Sequence, residues 1–375
     1  MKENLEEESV NSRTKTESDS PVLLHYCVVN LLGVTRAVVS ICVGLLFCNP
    51  VLEASALPTA EELLQELQLS DNDRQSIREG NIVTWSTTEG SDRELALGMA
   101  LLAKTKPASL VPIFREAAAF KNVSSITAYG KIEGEGTVAD FAGVKLALNG
   151  EKEGRRYLEA EPGDELNLDT KEIAAFRALK AASKDGAVPI QKVEALIREG
   201  LLARYQAYHA KGLAGIAPYA RKGGGQTFPS DELSIATEES TLVAKYLPSV
   251  YHALLKYPSI KSKEADEFEE QFYWLTIEVF GRPTFGLSHH LRFRIGEAIV
   301  IVDRHYYASH DYNALQQGAL ALPTKDYTMV TFLSRVSTDQ VAGFGSSVKH
   351  PVSRVLMTPY LKDLLEALRA KAEKQ

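Results

Sequence analysis

The sequence predicts an α+β fold in which a curved antiparallel sheet packs on a C-terminal helix, with a helical insertion in the middle of the chain. Residues 283–295 alternate apolar and polar side chains, which is the period of a half-buried strand. Four more strand-like segments lie between residues 272 and 336 at hairpin spacing. Residues 171–257 are mostly helical in pattern, and residues 352–372 carry leucines at helical spacing.

Length and charge limit the domain organisation and the partners. The chain has 375 residues, of which 45% are hydrophobic and 24% charged, enough for one large domain or two smaller ones. We predict a single domain at 57–375, with the helical insertion at about 171–270 and the sheet and final helix at 271–375. The net charge of -7 and the lack of a long basic run argue against nucleic acid as a partner.

The N-terminal 56 residues have the pattern of an export signal behind a polar, disordered start. Arg36 precedes an apolar run from Ala37 to Cys48, and Ala54-Ser55-Ala56 follows it as a small-x-small cleavage motif. We therefore expect cleavage after Ala56 and export to the periplasm or the cell exterior. The alternative is that the apolar run is retained as an anchor and contacts the membrane.

All cysteines of the chain precede the predicted cleavage point. They are Cys27, Cys42 and Cys48. The mature protein would therefore contain no cysteine nucleophile, no disulfide and no thiolate metal site. A cysteine-free chain of this size suits a bacterial periplasm.

The first part of the predicted domain mixes helices and strands, which suits helices packed on one sheet. Thr59 and Glu62 fit a capping box at the start of a helix, and Pro107 separates a strand from the next helix. The predicted segments are helix in 57–80, strands 81–87 and 94–106, helix 109–120, and strand 125–132. Residues 139–148 are expected to be irregular or a strand.

The rest of the chain is predicted as helices followed by an antiparallel meander. The predicted helices are 171–183, 189–213 and 231–257, the last broken at Pro248. The predicted strands are 272–280, 284–295, 298–310, 312–322 and 327–336. A tight turn at Gly296-Glu297 pairs Ile295 with Ala298, and therefore sets position 289 opposite 304. The final helix is expected after a break near Pro359 and covers one face of the sheet.

Several short motifs from about Tyr205 to the C-terminus resemble those of an uncharacterised family of exported bacterial proteins. They are Tyr208-His209-Ala210-Lys211-Gly212, Tyr246-Leu247-Pro248, Tyr257-Pro258, Tyr273-Trp274, Phe280-Gly281-Arg282-Pro283, Tyr307-Ala308-Ser309-His310 and Ser334-Arg335. The chain departs from that family's Asn-Arg-Ser-Arg at Phe332-Leu333-Ser334-Arg335, and has Asp311 where the family has tyrosine. The resemblance implies export and no particular activity.

The order of the predicted elements is also similar to that of the helix-grip fold, as in START lipid-transfer domains. That similarity implies a curved antiparallel sheet around a long C-terminal helix, with an apolar cavity between them. The helices at 171–257 would be a large insertion in such a fold.

Polar side chains cluster on the predicted strand 298–310. On a regular strand Asp303, His305 and Tyr307 share one face, and an Asp–His pair two residues apart suits a base and its orienting group. His289 on the neighbouring strand would complete a metal site only from a diagonal position, so we predict no metal. A buried hydrogen-bond and ion-pair network that fixes the sheet is the structural alternative.

The function that these features favour is binding of an apolar or amphipathic, lipid-like small molecule in a cavity between sheet and helix. The predicted ligand contacts are His289, His305, Tyr307, Arg304, His310, Tyr273 and Trp274. One alternative is a periplasmic hydrolase that uses Asp303 and His305, although the chain has no G-x-S-x-G nucleophile elbow. Another is a structural or partner-binding protein without a small-molecule site. No cofactor is predicted.

Overall fold

A large antiparallel sheet organises the chain. The computed structural model describes residues 57–114, 125–146, 150–183, 187–259, 265–279, 281–343 and 345–374. In these ranges the strands are β1 Val83–Ser86, β2 Glu94–Ala103, β3 Ile126–Ile132, β4 Tyr219–Ala220, β5 Gln226–Thr227, β6 Glu267–Val279, β7 Arg282–Ile295, β8 Ala298–Ala308, β9 Ala314–Pro323 and β10 Thr328–Ser337. Eight of these strands form one sheet in the order β1-β2-β10-β9-β8-β7-β6-β3, and β4 pairs with β5.

The helices cover both faces of this sheet. They are α1 Ala60–Glu66, α2 Asp71–Arg78, α3 Val111–Phe114, α4 Gly150–Leu158, α5 Thr170–Ala182, α6 Ile190–Lys211, α7 Pro229–Glu238, α8 Thr241–Tyr246, α9 Pro248–Lys256 and α10 Ser346–Ala372. Helices α4 to α9 occupy the chain between β3 and β6. The predicted α+β class, with a curved antiparallel sheet and a C-terminal helix, is confirmed.

The meander of β6 to β10 forms because each strand returns beside the one before it. Ile295 pairs with Ala298 across the turn, and His289 pairs with Arg304, as the turn at Gly296-Glu297 predicted. Gly296 has a φ of 58°, a left-handed conformation that glycine adopts without strain. The predicted strands at 81–87, 94–106 and 125–132 are also present, as β1, β2 and β3 at the two sides of the meander.

One face of the sheet, which we call the α10 face, packs on the C-terminal helix. Leu361, Leu365 and Leu368 of α10 contact apolar side chains of the central strands, among them Ile301 and Phe332. The leucines recur every three or four residues, so they lie along one side of the helix. Their burial anchors the second half of α10 over the sheet.

The opposite face, which we call the helical face, is covered by the remaining helices. Over the strands β6 to β8, α6 supplies Val193, Ile197, Leu201, Tyr205 and Tyr208 to a core that contains no part of α10. Over the other end, α1, α8 and α9 cover β1, β8, β9 and β10. This coverage is what buries the apolar side of β7.

The helices differ from the sequence prediction in several details. Helix α4 was not predicted, and the predicted helix 231–257 is divided into α7, α8 and α9, with a second break before Thr241. Helix α10 begins at Ser346 and contains both Pro351 and Pro359, whereas we expected a break near Pro359. Leucine packing holds the helix beyond Pro359, and the Thr358 hydroxyl donates to the Arg354 carbonyl at 2.8 Å. Residues 139–148 were expected as irregular or strand, and the described part is irregular: a short 3₁₀ turn at Val138–Phe141 is followed by turn and coil up to residue 146.

Some predictions lie outside the described residues. These are the signal or anchor segment at 1–56, the second half of the predicted helix 109–120, and Phe280. Within the described ranges, none of the helices has the length and apolar character needed to span a bilayer.

Candidate functional site

A row of polar side chains crosses the α10 face at right angles to the strands. Strand pairing aligns Gln271, His290, Asp303, Gln317 and Ser334 on five neighbouring strands. The Gln317 amide donates to the Ser334 hydroxyl at 3.3 Å. Since side chains one strand apart lie close together, the register alone builds a continuous polar line through an otherwise apolar face.

Asp303 is the centre of this row. Its carboxylate lies 3.0 Å from Nε2 of His290 and 3.3 Å from Nε2 of His305. The Ser288 hydroxyl also donates to it. On the far side of His305, Nδ1 lies 2.7 Å from the Tyr312 hydroxyl. We call Ser288, His290, Asp303, His305 and Tyr312 the Asp303 cluster.

Burial and neighbouring charges determine the ionisation states in the Asp303 cluster. Burial raises the pKa of Asp303, but His290 and His305 outweigh that effect and hold the pKa well below its ordinary value. Burial, reinforced by the Asp303 charge, raises the pKa of Tyr312 well above its ordinary value. The cluster therefore presents an ionised carboxylate and a protonated phenol at neutral pH, beside the imidazoles of His290 and His305.

A cavity of about 190 Å³ lies between this cluster and α10. Its polar wall contains His290, Asp303, His305, Tyr312 and Gln317. Ser125 also lines it, and most of the rest is apolar, including Ile126, Ile277, Leu315, Phe332, Leu364 and Leu368. Tyr360 of α10 lies at the cavity and is 46% exposed, which marks the side open to solvent. An apolar cavity with a few convergent polar groups is the usual form of a small-molecule site.

The structure brings two of the predicted site residues into this cavity, namely Asp303 and His305. Ser288 and His290 were not predicted as site residues because they lie on the polar side of a strand that is half-buried in pattern, and Tyr312 because it lies beyond β8. The signal was available: the turn that pairs 289 with 304 also pairs His290 with Asp303.

A β-bulge in β8 corrects the predicted position of Tyr307. Leu287 pairs with Tyr307 and Ser288 with His305, so Tyr306 is the extra residue. Tyr306 stacks on Tyr208 with 3.9 Å between ring centroids. Tyr307 therefore lies on the helical face as well, where the Arg204 guanidinium is 4.3 Å from its ring centroid. It does not share a face with Asp303 and His305.

His289 and Arg304 lie on the helical face, away from this cavity. His289 is fully buried, stacks on Phe272 and has its Nδ1 3.1 Å from the Tyr208 hydroxyl. Its Nε2 lies 3.1 Å from the Glu270 carboxylate. Arg304 is also fully buried, and donates to the Leu254 carbonyl and the Gln316 amide oxygen.

The remaining predicted contacts are likewise outside the cavity wall. His310 pairs with Asp311, and its Nε2 is 3.2 Å from the Pro283 carbonyl oxygen. Trp274 donates to the Asp140 carbonyl at 2.7 Å on the helical face. Tyr273 is on the α10 face, with its ring centroid 5.2 Å from that of His290, and donates to Gln271. The Tyr273 ring therefore packs against the His290 ring and helps to hold it in position.

His289 makes the fold sensitive to acid. Burial lowers its pKa to about 4, although Glu270 opposes the shift. The unfolded imidazole, with a pKa near 6.5, binds a proton first as the pH falls, so stability is lost between about pH 6.5 and pH 4. For this residue alone we expect a loss of about 2 kcal/mol between pH 7.5 and pH 5.

Urea unfolding of wild type and His289→Gln at these two pH values measures this loss. The wild type should lose about 2 kcal/mol more than the variant on acidification. Equal losses in the two proteins would mean that His289 is not held neutral in the fold.

Within the described ranges, no three His, Cys, Asp or Glu side chains are grouped so that they could hold a metal ion. The geometry defines instead a sheet-and-helix protein with a small apolar cavity and an ionised polar cluster in its wall.

No protein-family model and no curated protein matches the sequence. The resemblance to an exported bacterial family therefore stays a prediction.

Two solved structures are similar to this chain at low levels. One is a fragment of a STAR-related lipid transfer protein from Xanthomonas axonopodis, at 12% identity and a TM-score of 0.34, covering 78% of this chain and 94% of that chain. The other is a protein from Thermus thermophilus, at 12% identity and a TM-score of 0.23, covering 38% of this chain and 88% of that chain. Similarity this low identifies neither a family nor a ligand.

Proposed function

We propose that this protein binds an apolar or amphipathic, lipid-like molecule in the cavity between α10 and the sheet. The observation that carries the proposal is the composition of the cavity wall, which is mostly apolar, with its polar groups concentrated at His290, Asp303, His305, Tyr312 and Gln317. The apolar part would take the body of the ligand, and the polar part would fix its orientation. A filled core, as in a purely structural protein, would leave no such space.

The cavity size limits the part of the ligand that is enclosed. An apolar cavity of about 150 Å³ holds one benzene molecule. The volume of about 190 Å³ therefore accommodates one ring or a short branched chain. A longer ligand would extend past Tyr360 towards solvent.

The Asp303 cluster favours a ligand head that donates a hydrogen bond, such as a hydroxyl or an amine. The carboxylate of Asp303 accepts hydrogen bonds, and the neighbouring His290 and His305 stabilise its ionised form. Gln317 adds an amide that both donates and accepts. A negatively charged head would meet the ionised Asp303 and be disfavoured.

The hydrolase alternative has less support from the same geometry. Both imidazole nitrogens of His305 are occupied, one by Asp303 and the other by the Tyr312 hydroxyl. The Ser288 hydroxyl donates to the carboxylate and not to an imidazole, so it is not activated as a nucleophile. The geometry of the Asp303 cluster therefore suits the wall of a binding cavity better than it suits acyl transfer.

Native mass spectrometry of the purified protein, followed by extraction of bound molecules, tests the proposal. We expect a co-purified apolar species in the wild type, and its loss in Ala319→Leu, because the Ala319 side chain lies on the α10 face beside Ile301 and Phe332. The added carbons would fill the cavity.

The neighbouring substitution Gly318→Leu is the matched control. Gly318 borders the cavity under α10 through its backbone, and because successive residues of a strand point to opposite faces, a side chain at 318 projects away from the α10 face. It should leave the species bound in this cavity in place. A clean unliganded mass in the wild type, with no stabilisation by a panel of lipids, would contradict the proposed function.

We also propose that the protein acts outside the cytoplasm, with the segment up to Ala56 removed. The support is the order of Arg36, the apolar run and the small-x-small motif. The intact mass of the protein from a periplasmic or secreted fraction tests this. A chain that keeps its first 56 residues in the membrane fraction would favour the anchor alternative.

A further inference from the structure

A second cavity lies on the helical face of the sheet. It has a volume of about 450 Å³. Its apolar wall includes Leu247, Val250 and Leu254 of α9 together with Val300, Val302 and Leu333 of the sheet. This is about three times the volume that holds benzene, and within the usual range of small-molecule sites. The function proposed above does not involve this second cavity.

Gly318 of the central strand β9 forms part of its floor. A Cβ added to Gly318 would meet, within 4 Å, only the Ile301 carbonyl oxygen at 3.9 Å, and the backbone is not in the left-handed region. Gly98 differs, because a Cβ there would collide with the Trp85 ring at 2.2 Å. Neither backbone strain nor contact with other residues therefore requires glycine at position 318. A glycine there weakens the strand, so its presence has no structural benefit. An open glycine in a strand is typical where a ligand approaches the backbone closely.

The charges buried beside the cavity are not balanced. Arg335 lines it, is 2% exposed and pairs with the buried Glu94 at 3.0 Å. Arg304 lies directly behind the lining residues Gln316 and Leu254 and bonds to both. In the described ranges no carboxylate pairs with Arg304, and the Nε–H of Arg335 has no acceptor. In the described ranges, the two buried guanidinium groups are thus balanced by a single buried carboxylate, that of Glu94.

A buried charge without a counterion is costly, and a ligand anion would reduce that cost. The other charged groups at the cavity do not supply the missing anion. Glu66 and Glu239 line it but are partly exposed, and Glu66 is paired with Lys245.

We propose that this cavity binds the carboxylate of a medium-length aliphatic chain, such as a fatty acid. The chain lies along Val300, Val302 and Leu333, over Gly318. The carboxylate lies at the Arg335 end and accepts from its guanidinium, with Arg304 contributing attraction through the low-dielectric interior. At roughly 30 Å³ per heavy atom, the space suits about fifteen heavy atoms.

Titration calorimetry of the full purified protein with sodium decanoate tests this assignment, with methyl decanoate as the uncharged comparison. We expect saturable binding of decanoate, and affinity for the ester lower by at least about ten-fold. Gly318→Leu should lower decanoate affinity by at least about ten-fold, because its side chain occupies the ligand space. Gly318→Ala, which adds only the Cβ, should lower it less and guards against misfolding of the larger variant.

Ala319→Leu separates this site from the cavity under α10. Ala319 also borders this cavity, but its side chain packs on the α10 face of the sheet, so the variant should retain decanoate binding at wild-type affinity. The proposal is overturned by an absence of saturable decanoate binding. It is also overturned by ester binding as tight as the acid, by loss of binding in Ala319→Leu, or by unchanged affinity in folded Gly318→Leu and Gly318→Ala.

Discussion

Replacing Glu94 by glutamine is expected to lower the free energy of unfolding by about 3–5 kcal/mol. Glu94 and Arg335 are each about 1% exposed in their side chains and form an ion pair at 3.0 Å. Glutamine has nearly the same shape and its amide oxygen still accepts from the Gly90 N–H, as the Glu94 carboxylate does at 2.7 Å. The substitution therefore removes mainly the charge, and leaves the Arg335 guanidinium buried without its partner.

Urea unfolding at neutral pH measures this loss. Glu61→Gln is the matched control, because Glu61 pairs with Arg78 at 2.8 Å on the surface, where both side chains are about half exposed. We expect less than about 1 kcal/mol there. A similar small loss in Glu94→Gln would show that the buried pair contributes no more than an exposed one.

Asp303→Asn is expected to destabilise the protein by about 3 kcal/mol at neutral pH and to weaken ligand binding in the cavity under α10. Asparagine keeps the size of the side chain but removes the charge that pairs with His290 and His305. We expect a smaller loss than for Glu94→Gln because the Asp303 side chain is 18% exposed, whereas that of Glu94 is about 1% exposed.

The pH dependence of this difference has a definite sign. The fold holds the pKa of Asp303 below its ordinary value, so its contribution is present above that value and is lost as the pH falls through the folded pKa. The free energy of unfolding of the wild type should therefore exceed that of the variant by the full amount above pH 5, and by less below about pH 4. The exposed Asp326→Asn serves as control, with an expected change within about 0.5 kcal/mol. A difference in unfolding free energy that becomes larger in acid would contradict an ionised Asp303 with a lowered pKa.

Much of the fold could be predicted because its signals are local. Period-2 alternation in residues 283–295 marks a strand whatever packs on it, and Gly296-Glu297 sets the register of the hairpin. That register gave the pairing of His289 with Arg304 in advance of any tertiary information. The same holds for the leucine spacing that marks the buried side of α10.

Which side of β7 meets a ligand could not be predicted, since it depends on what covers each face. The apolar side, with His289, was the natural candidate for a cavity wall. The helices inserted between β3 and β6 fill that side completely at His289, while α10 leaves space over His290. The ligand contacts predicted at His289, Tyr307 and Trp274 were therefore assigned to the face that is packed solid around them.

The bulge in β8 shows a second limit. An ideal strand puts Asp303, His305 and Tyr307 on one face, and a single unpaired Tyr306 moves Tyr307 to the other. The bulge is compatible with stacking of Tyr306 on Tyr208 of α6, a residue almost one hundred positions earlier in the chain. Contacts of such separation have no trace in the local pattern.

By itself, the sequence determined the class of fold, the order of the meander strands and the pairing across their tightest turn, because periodicity and turn chemistry act between neighbours. It also placed Asp303 and His305 together. Only the tertiary structure decided that His290 and Tyr312 join them, that α10 encloses the space beside them, and that a second cavity lies over Gly318. Those features arise where elements distant in the chain pack imperfectly against each other, and packing of that kind depends on the assembled volume of all of them.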